Sequence, residues 1–339
     1  MGNNVSRRHH LLPEMWLEGF AQNRKLKVRR RGQDRELLLS CRDATVVGGF
    51  YTNPLPSKGE DGQEVEGYLA QMVEGPAAGS LRRIREGHWP LSQGAEEALH
   101  RLLAHQITRT WPFRKLQQHI EEHSLPLMTA AEFAPLMEQR LGRILSPFDM
   151  HQLEQHFRKN PWLPPDSLDP RRDLTHQLKA ADRLQEQITS WAITLLKSDK
   201  DRPLLLVADV GVVVRQADGS FSPLPPLLPD DAELLAPVAP HLLLVASACR
   251  KPKYRHGRLT PRMAARTNRG AVALCNDAVI RHPGHAWPKG LQLEQEPPGL
   301  SAPVVTWAHG AGGATEHSGL VAPTMADEML AQLVHKLRE

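Results

Sequence analysis

PLLLVADVGVVV, residues 203–214, decides how this chain is organised. The run is apolar, but Asp209 interrupts it and it falls short of the roughly 20 residues that a membrane helix needs. It divides instead into two strands, PLLLVAD (203–209) and VVVRQ (212–216), with a turn at Asp218-Gly219 and a return starting at Ser220-Phe221. Upstream, from residue 63 to residue 197, the apolar spacing is helical. Helices are predicted over 63–86, with Gly75-Pro76 as the place where the first can break, and over 94–108, 113–123, 130–142, 148–157 and 171–197. In the last, Leu174, Leu178, Ala181, Leu184, Ile188, Trp191 and Leu195 recur at helical spacing.

The chain also begins with strands. After a short helix from Pro13 to about Ala21, RKLKVRRR (24–31) alternates, with Lys25, Lys27, Arg29 and Arg31 on one face and Leu26 and Val28 on the other. Gly32-Gln33-Asp34 turns the chain into ELLLS, a third extended stretch ends at Tyr51, and 53–62 reads as a loop. Towards the C-terminus, SPLPPLLPDDAELLAPVAP (222–240) is too rich in proline for a central strand and reads as a crossover. HLLLVASA (241–248) is a buried strand, a helix is predicted near 261–270, and AVALCNDAVI supplies a last strand or pair. The expected architecture is α+β: one mixed sheet built from strand regions 24–51 and 203–282, with the helical block 63–197 inserted between them. One domain is expected over 1–285, followed by a proline- and glycine-rich tail, 286–339, that closes with a helix from about Thr324 to Leu337.

Composition narrows the function classes. Cys41, Cys249 and Cys275 are scattered and odd in number, which argues against a disulfide framework or a thiolate zinc site and for a reducing compartment. Arg7 and Arg8 are followed by histidines and Glu14 rather than by an apolar signal core. Met1-Gly2 to Ser6 fits a short N-myristoylation pattern that arises often by chance. The expectation is a cytoplasmic bacterial protein with no membrane partner. A net charge of +4 is compatible with an anionic partner without requiring one.

His9-His10-x-x-Pro13-x-x-x-Leu17-x-x-Phe20 resembles the N-terminal signature of a bacterial family catalogued as domain of unknown function 4238. The resemblance extends to Gly49-Phe50-Tyr51, to Glu66 and Glu74 in the first long helix, and to Gln106-x-x-Arg109-Thr110. It continues to Asp209 and Asn268, covering roughly residues 6 to 282. Where the family usually reads Ser-Asp-x-Pro, this chain has Ala208-Asp209-Val210-Gly211. The resemblance implies positions and no settled activity.

Two imidazoles, several carboxylates and an arginine are the residue types of metal-assisted phosphodiester hydrolysis. Carboxylates and a histidine hold Mg²⁺ or Mn²⁺, the ion generates hydroxide, and arginine stabilises phosphoryl charge. On that reading His10, Glu66, Arg109 and Asp209 are catalytic and the substrate is a nucleic acid or nucleotide. His10 is favoured over His9 because it stands nearer the helix start at Pro13. His9, Tyr51, Glu74, Gln106 and Asn268 complete the polar positions. The alternative is a non-enzymatic interaction protein, with a protein partner, in which Glu66 pairs with Arg109 and the remaining residues are internal ties.

Three further motifs are weaker. HIEEH (119–123) matches an inverted zinc-peptidase pattern, but His123 is at a helix end and no third ligand is evident. The basic face Lys25, Lys27, Arg29 and Arg31 suits contact with a phosphate backbone, or equally a solvated edge strand protected from pairing. HGAGGATEHSG (309–319) lacks the ending of a phosphate loop and reads as a surface loop.

Overall fold

Backbone hydrogen-bonding capacity, rather than side-chain pattern alone, organises the strands of this chain. The computed structural model describes residues 8–33, 35–51, 64–115, 141–159, 170–199, 204–222, 231–248 and 254–294, with 130, 134, 138, 228 and two short segments, 308–309 and 315–316. In chain order the first elements are β1 (Arg8–His10), α1 (Glu14–Leu17) with a 3-10 turn to Phe20, β2 (Lys25–Arg30), β3 (Leu37–Ser40) and β4 (Val46–Gly48). Then come α2 (Glu64–Tyr68), a π-helical stretch Leu69–Glu74, α3 (Gly75–Arg85), α4 (Gln93–Thr108), α5 (Pro147–Lys159) and α6 (Pro170–Ile188). The second strand region holds β5 (Ala192–Lys197), β6 (Val207–Ala208), β7 (Val213–Arg215), β8 (Phe221–Ser222), β9 (Glu233–Ala239), β10 (Leu242–Ser247) and β11 (Tyr254–Arg258). It ends with α7 (Pro261–Leu274), β12 (Ala278–Arg281), β13 (Ala308–His309) and β14 (Thr315–Glu316).

The class is α+β, with N- and C-terminal strands flanking the helices. Two main sheets take the place of one. The four-stranded sheet, β3-β2-β12-β6, joins the two ends of the chain: β12 pairs antiparallel with β2, Ile280 opposite Val28, and with β6. The six-stranded sheet, β11-β5-β10-β9-β7-β8, is mixed because β11 runs parallel to β5. β1 and β4 form a separate pair. The residues divide into two compact units, Met1–Arg114 with Gln177–Leu300, and Lys115–His176 with Ser301–Glu339. Both sheets and the polar residues below belong to the first.

Two expectations for single segments are corrected. The helix predicted over 171–197 ends at Ile188, and 192–197 is strand β5. AITLLK is apolar on both faces, as a strand inside a sheet must be, so its periodicity cannot separate strand from helix. The proline-rich crossover contains β9, a central strand. Pro237 is tolerated because the β9–β10 register shifts at that point, with Leu242 opposite Ala239 and Leu243 opposite Pro237, and because β7 pairs with β9 only over 233–235. Residues 8–10, given no element in the sequence reading, form a strand, with His9 buried and Arg8 exposed. The predicted helix over 324–337 and HIEEH lie outside the described residues, as does most of HGAGGATEHSG. Of that last run His309, Thr315 and Glu316 are described, in the paired strands β13 and β14.

Side chains from the helices satisfy the β9 carbonyls. Buried Trp16 donates its Nε1–H to the Pro237 carbonyl at 2.7 Å, and Arg85 Nε donates to that of Val238 at 3.1 Å. Arg85 also donates to the carbonyls of Met15 and Trp16, the end of α1, so one guanidinium joins α1, α3 and β9. Gly19 allows this approach: a Cβ there would lie 2.1 Å from the Val238 oxygen. Against β7 and β8, α7 starts at Pro261 with Thr260 capping Met263, and packs Gly270 against Phe221 and Val213. We predict that Gly19→Ala, forcing backbone apart from backbone, destabilises the protein by about 2–3 kcal/mol in urea unfolding.

Candidate functional site

The C-terminal turns of α4 carry Gln106 and Arg109, both buried. Gln106 Nε2 donates to the carbonyls of Leu11 (3.0 Å) and Val210 (3.2 Å), and its Oε1 accepts from Arg109 Nε at 3.1 Å. One amide thus ties the N-terminal segment, α4 and the turn after β6. Gly211 makes room for it: its φ is +73°, and a Cβ would meet Gln106 and Leu12 at 2.8 Å. The proline that the family pattern suggests at this position could not adopt that φ.

Arg109 Nη1 donates to Glu74 Oε1 at 2.7 Å. Glu74 sits at the end of the π-helical stretch, whose wider turn precedes the Gly75-Pro76 start of α3. Arg109 Nη2 is buried and has no hydrogen-bond partner among the described residues. Burial works against the charge of Arg109, but Glu74, Tyr51 and Glu66 outweigh it and its pKa is raised. Tyr51, also buried, stands with its hydroxyl 3.5 Å from the Arg109 carbonyl, and burial pushes its pKa up.

The two histidines separate. His9 is buried, and its Nδ1 accepts the Tyr51 backbone N–H at 2.7 Å, which leaves the proton on Nε2. His10 is only half-buried, and its Nε2 meets the Arg42 carbonyl at 3.0 Å. Glu66, on α2, is half-buried and has no hydrogen bond to the described residues. Burial and Glu74 raise its carboxyl pKa against Arg109 and His10, so all four lie within electrostatic reach.

Asp209 belongs to a different arrangement. Its carboxylate accepts the backbone N–H groups of Asn276 (3.0 Å), Asp277 (2.7 Å) and Ala278 (3.2 Å), where the chain leaves α7 and enters β12. Burial raises its pKa against those three bonds. Asn268 accepts from the Leu206 N–H and donates to the Leu204 carbonyl, holding the approach to β6 on α7. Of the expected cluster, His10, Glu66 and Arg109 are within electrostatic reach of one another and of Glu74, while the Asp209 carboxylate and the Asn268 amide hold backbone groups. Among the described residues no three His, Cys, Asp or Glu side chains come together as metal ligands. Glu74, His9 and Asp209 each already take part in a hydrogen bond within the fold.

The basic strand β2 is interior, between β3 and β12, which corrects the edge-strand alternative. Arg29 lies 3.9 Å over the Trp287 ring and 3.9 Å from Glu36. Arg31 donates to the carbonyls of Val272, Cys275 and Glu294, covering the C-terminus of α7. Lys25 is exposed and Lys27 half-buried, so only part of the anion-facing row is at hand for a phosphate.

One residue escapes sequence reasoning. His105, four residues before Arg109 on α4, is buried, with its Nε2 unpartnered among the described residues and 4.0 Å from Asp182 Oδ1. Burial and the charges of Arg109 and Arg101 push its pKa down to about 3. The i, i+4 spacing with Arg109 was the available signal.

These positions are those of a recognised family. The sequence model described as "Protein of unknown function (DUF4238)" matches residues 8–285, more than half of the chain. The chain belongs to this family. No curated protein matches it, and no solved structure does. In this DUF4238 member the matched segment begins with β1 and ends just beyond β12, so it takes in the whole polar cluster.

Two outcomes are expected. Arg109→Met, which leaves the half-buried Glu74 carboxylate without its partner, costs about 3 kcal/mol in urea unfolding, and adding Glu74→Met recovers part of that loss. For Glu66, a raised folded pKa adds stability fully below the unfolded pKa, and that stability is lost as pH rises through the folded value. Glu66→Gln therefore melts higher than the parent near neutral pH, and the two converge at about pH 4, below the ordinary glutamate value.

Proposed function

We propose that this chain works by binding and not by metal-assisted hydrolysis: an interaction protein whose polar motif residues are internal ties. The observation that carries this reading is Asp209. Its carboxylate, the strand-end acid on which a metal site would depend, accepts three backbone N–H groups at 3.2 Å or less. A carboxylate so engaged joins the β6 turn to the α7–β12 loop, and releasing it to hold a metal would leave those donors without partners at about 1–3 kcal/mol each. The commitments of Gln106, Asn268 and His9 to backbone groups support the same reading.

A second reading, hydrolysis of nucleic acid or nucleotide phosphodiesters, is favoured by one pair. Glu66 has the raised pKa that suits a general base or acid, and Arg109 next to it keeps one guanidinium donor for a phosphoryl oxygen. On this reading the chemistry is acid–base and does not use Asp209.

Purified protein incubated with labelled single- and double-stranded DNA and RNA, with Mg²⁺, Mn²⁺ or chelator, separates the two. The expected result is no cleavage under any condition, with Asp209→Ala folded but less stable by about 3 kcal/mol or more. Metal-dependent cleavage abolished by Asp209→Ala overturns the binding reading. Metal-independent cleavage abolished by Glu66→Gln replaces it with the second.

A further inference from the structure

β11 (Tyr254–Arg258) is the last strand of the six-stranded sheet, and among the described residues no further strand pairs with it. Leu259, just beyond its end, donates its N–H to the Lys197 carbonyl at 2.9 Å. Backbone groups alternate sides along a parallel strand, so Gly257 also faces β5, while His256 and Arg258 direct their N–H and C=O away from the sheet. The edge is a preformed template. Its register with β5 runs without a shift from Tyr254 to Arg258, and no proline interrupts it. The half-buried Trp89 meets the His256 ring edge-on at 6.2 Å.

Charge decides what such an edge accepts. KPKYRHGR (251–258) holds four basic residues and no acidic one, so a second copy of this strand is repelled and a chain bearing carboxylates is attracted. A charged edge by itself only deters pairing; a cavity distinguishes this one. Where β5 and β11 end, an opening of about 610 Å³ is lined by Lys197, Asp199, His256 and Arg258 among others. Lys197 and Arg258 are register partners, so their exposed side chains leave the same face of the sheet. Arg258 lies 3.3 Å from Asp199, with the two side chains 74% and 71% exposed. An ion pair so exposed is weak, and an incoming carboxylate displaces it at little cost.

We propose that the β11 edge and this cavity bind an extended acidic peptide, which adds a strand to the six-stranded sheet and sets a carboxylate against Lys197 and Arg258. The outward N–H and C=O groups of His256 and Arg258 favour a peptide over a nucleic acid. A polypeptide backbone answers both donors and acceptors, whereas a phosphate backbone brings acceptors alone. The site deepens the binding function proposed above and rests on that reading.

Fluorescence polarisation tests the site with a labelled peptide of alternating threonine and glutamate, which as a strand presents all its carboxylates on one face. Three further probes serve as controls: the threonine–lysine counterpart, the acidic peptide methylated at every backbone nitrogen, and labelled single-stranded RNA. Arg258→Ala is the informative variant, because it removes an exposed charge and keeps every backbone group of the edge. The expected result is binding of the acidic peptide, weakened about tenfold or more by Arg258→Ala and by methylation, in keeping with the loss of charge-assisted or backbone hydrogen bonds. No binding of the acidic peptide at millimolar concentration overturns the proposal, as does equal binding of its methylated form or of the lysine peptide. Affinity unchanged in folded Arg258→Ala, or RNA bound more tightly than the peptide, overturns it as well. Absence of peptide binding without nucleic-acid cleavage removes this site and leaves the binding reading standing, whereas metal-dependent cleavage abolished by Asp209→Ala removes that reading itself.

Discussion

A guanidinium removed from water must be matched by acceptors that the fold brings to it, and in this protein the fold is arranged to do so for Arg109. Gln106 reaches it along the same helix, and Glu74 arrives from the end of the π-helical stretch. Because the Gln106 amide also holds the carbonyls of Leu11 and Val210, orienting Arg109 and joining the N-terminal segment to the turn after β6 are one event. Interactions so linked are not independent. Disturbing any one leaves a buried polar group elsewhere without its partner.

Asp209 performs the corresponding task one residue before Val210. The chain passes there from β6 of the four-stranded sheet towards β7 of the six-stranded sheet, with Gly211 in the left-handed region between them. By accepting three successive N–H groups, Asp209 fixes the start of β12, the strand through which the N-terminal β2 joins the C-terminal β6. Carboxylates at strand ends attract catalytic interpretations, but this one follows from the need to satisfy backbone donors where a helix gives way to a strand.

Much of the fold was legible. The alternation of RKLKVRRR gave the two faces of β2 directly, with Leu26 and Val28 buried, and the Asp218-Gly219 turn closes β7 and β8. The failures share a cause. AITLLK and ELLAPVA lie inside a sheet with both faces covered, so neither alternates, and Pro237 signalled a loop because nothing local shows the register shift that admits it. For the polar residues, the resemblance to DUF4238 singled out Tyr51, Glu66, Glu74, Gln106 and Arg109, but the pairing expected of Arg109 was with Glu66, and its ion pair is with Glu74. The resemblance also grouped Asp209 and Asn268 with them, although those two serve the backbone. His105 carries no motif; its i, i+4 spacing from Arg109 is the one local signal, and its burial is decided by the fold.

From its sequence alone, then, this protein is a DUF4238 member of the α+β class, with strand-forming ends around a helical middle. Its charged and apolar residues are spaced so that Leu26 and Val28 on β2 must turn inward. Local spacing determines such features because they depend on a residue's near neighbours. The tertiary structure alone decided which polar groups became partners: that His9 and not His10 is enclosed, that Asp209 meets β12, and that Arg109 Nη2 has no hydrogen-bond partner among the described residues. Those outcomes depend on which segments exclude water together, and contacts between residues as far apart as Gln106 and Val210 leave no trace in spacing.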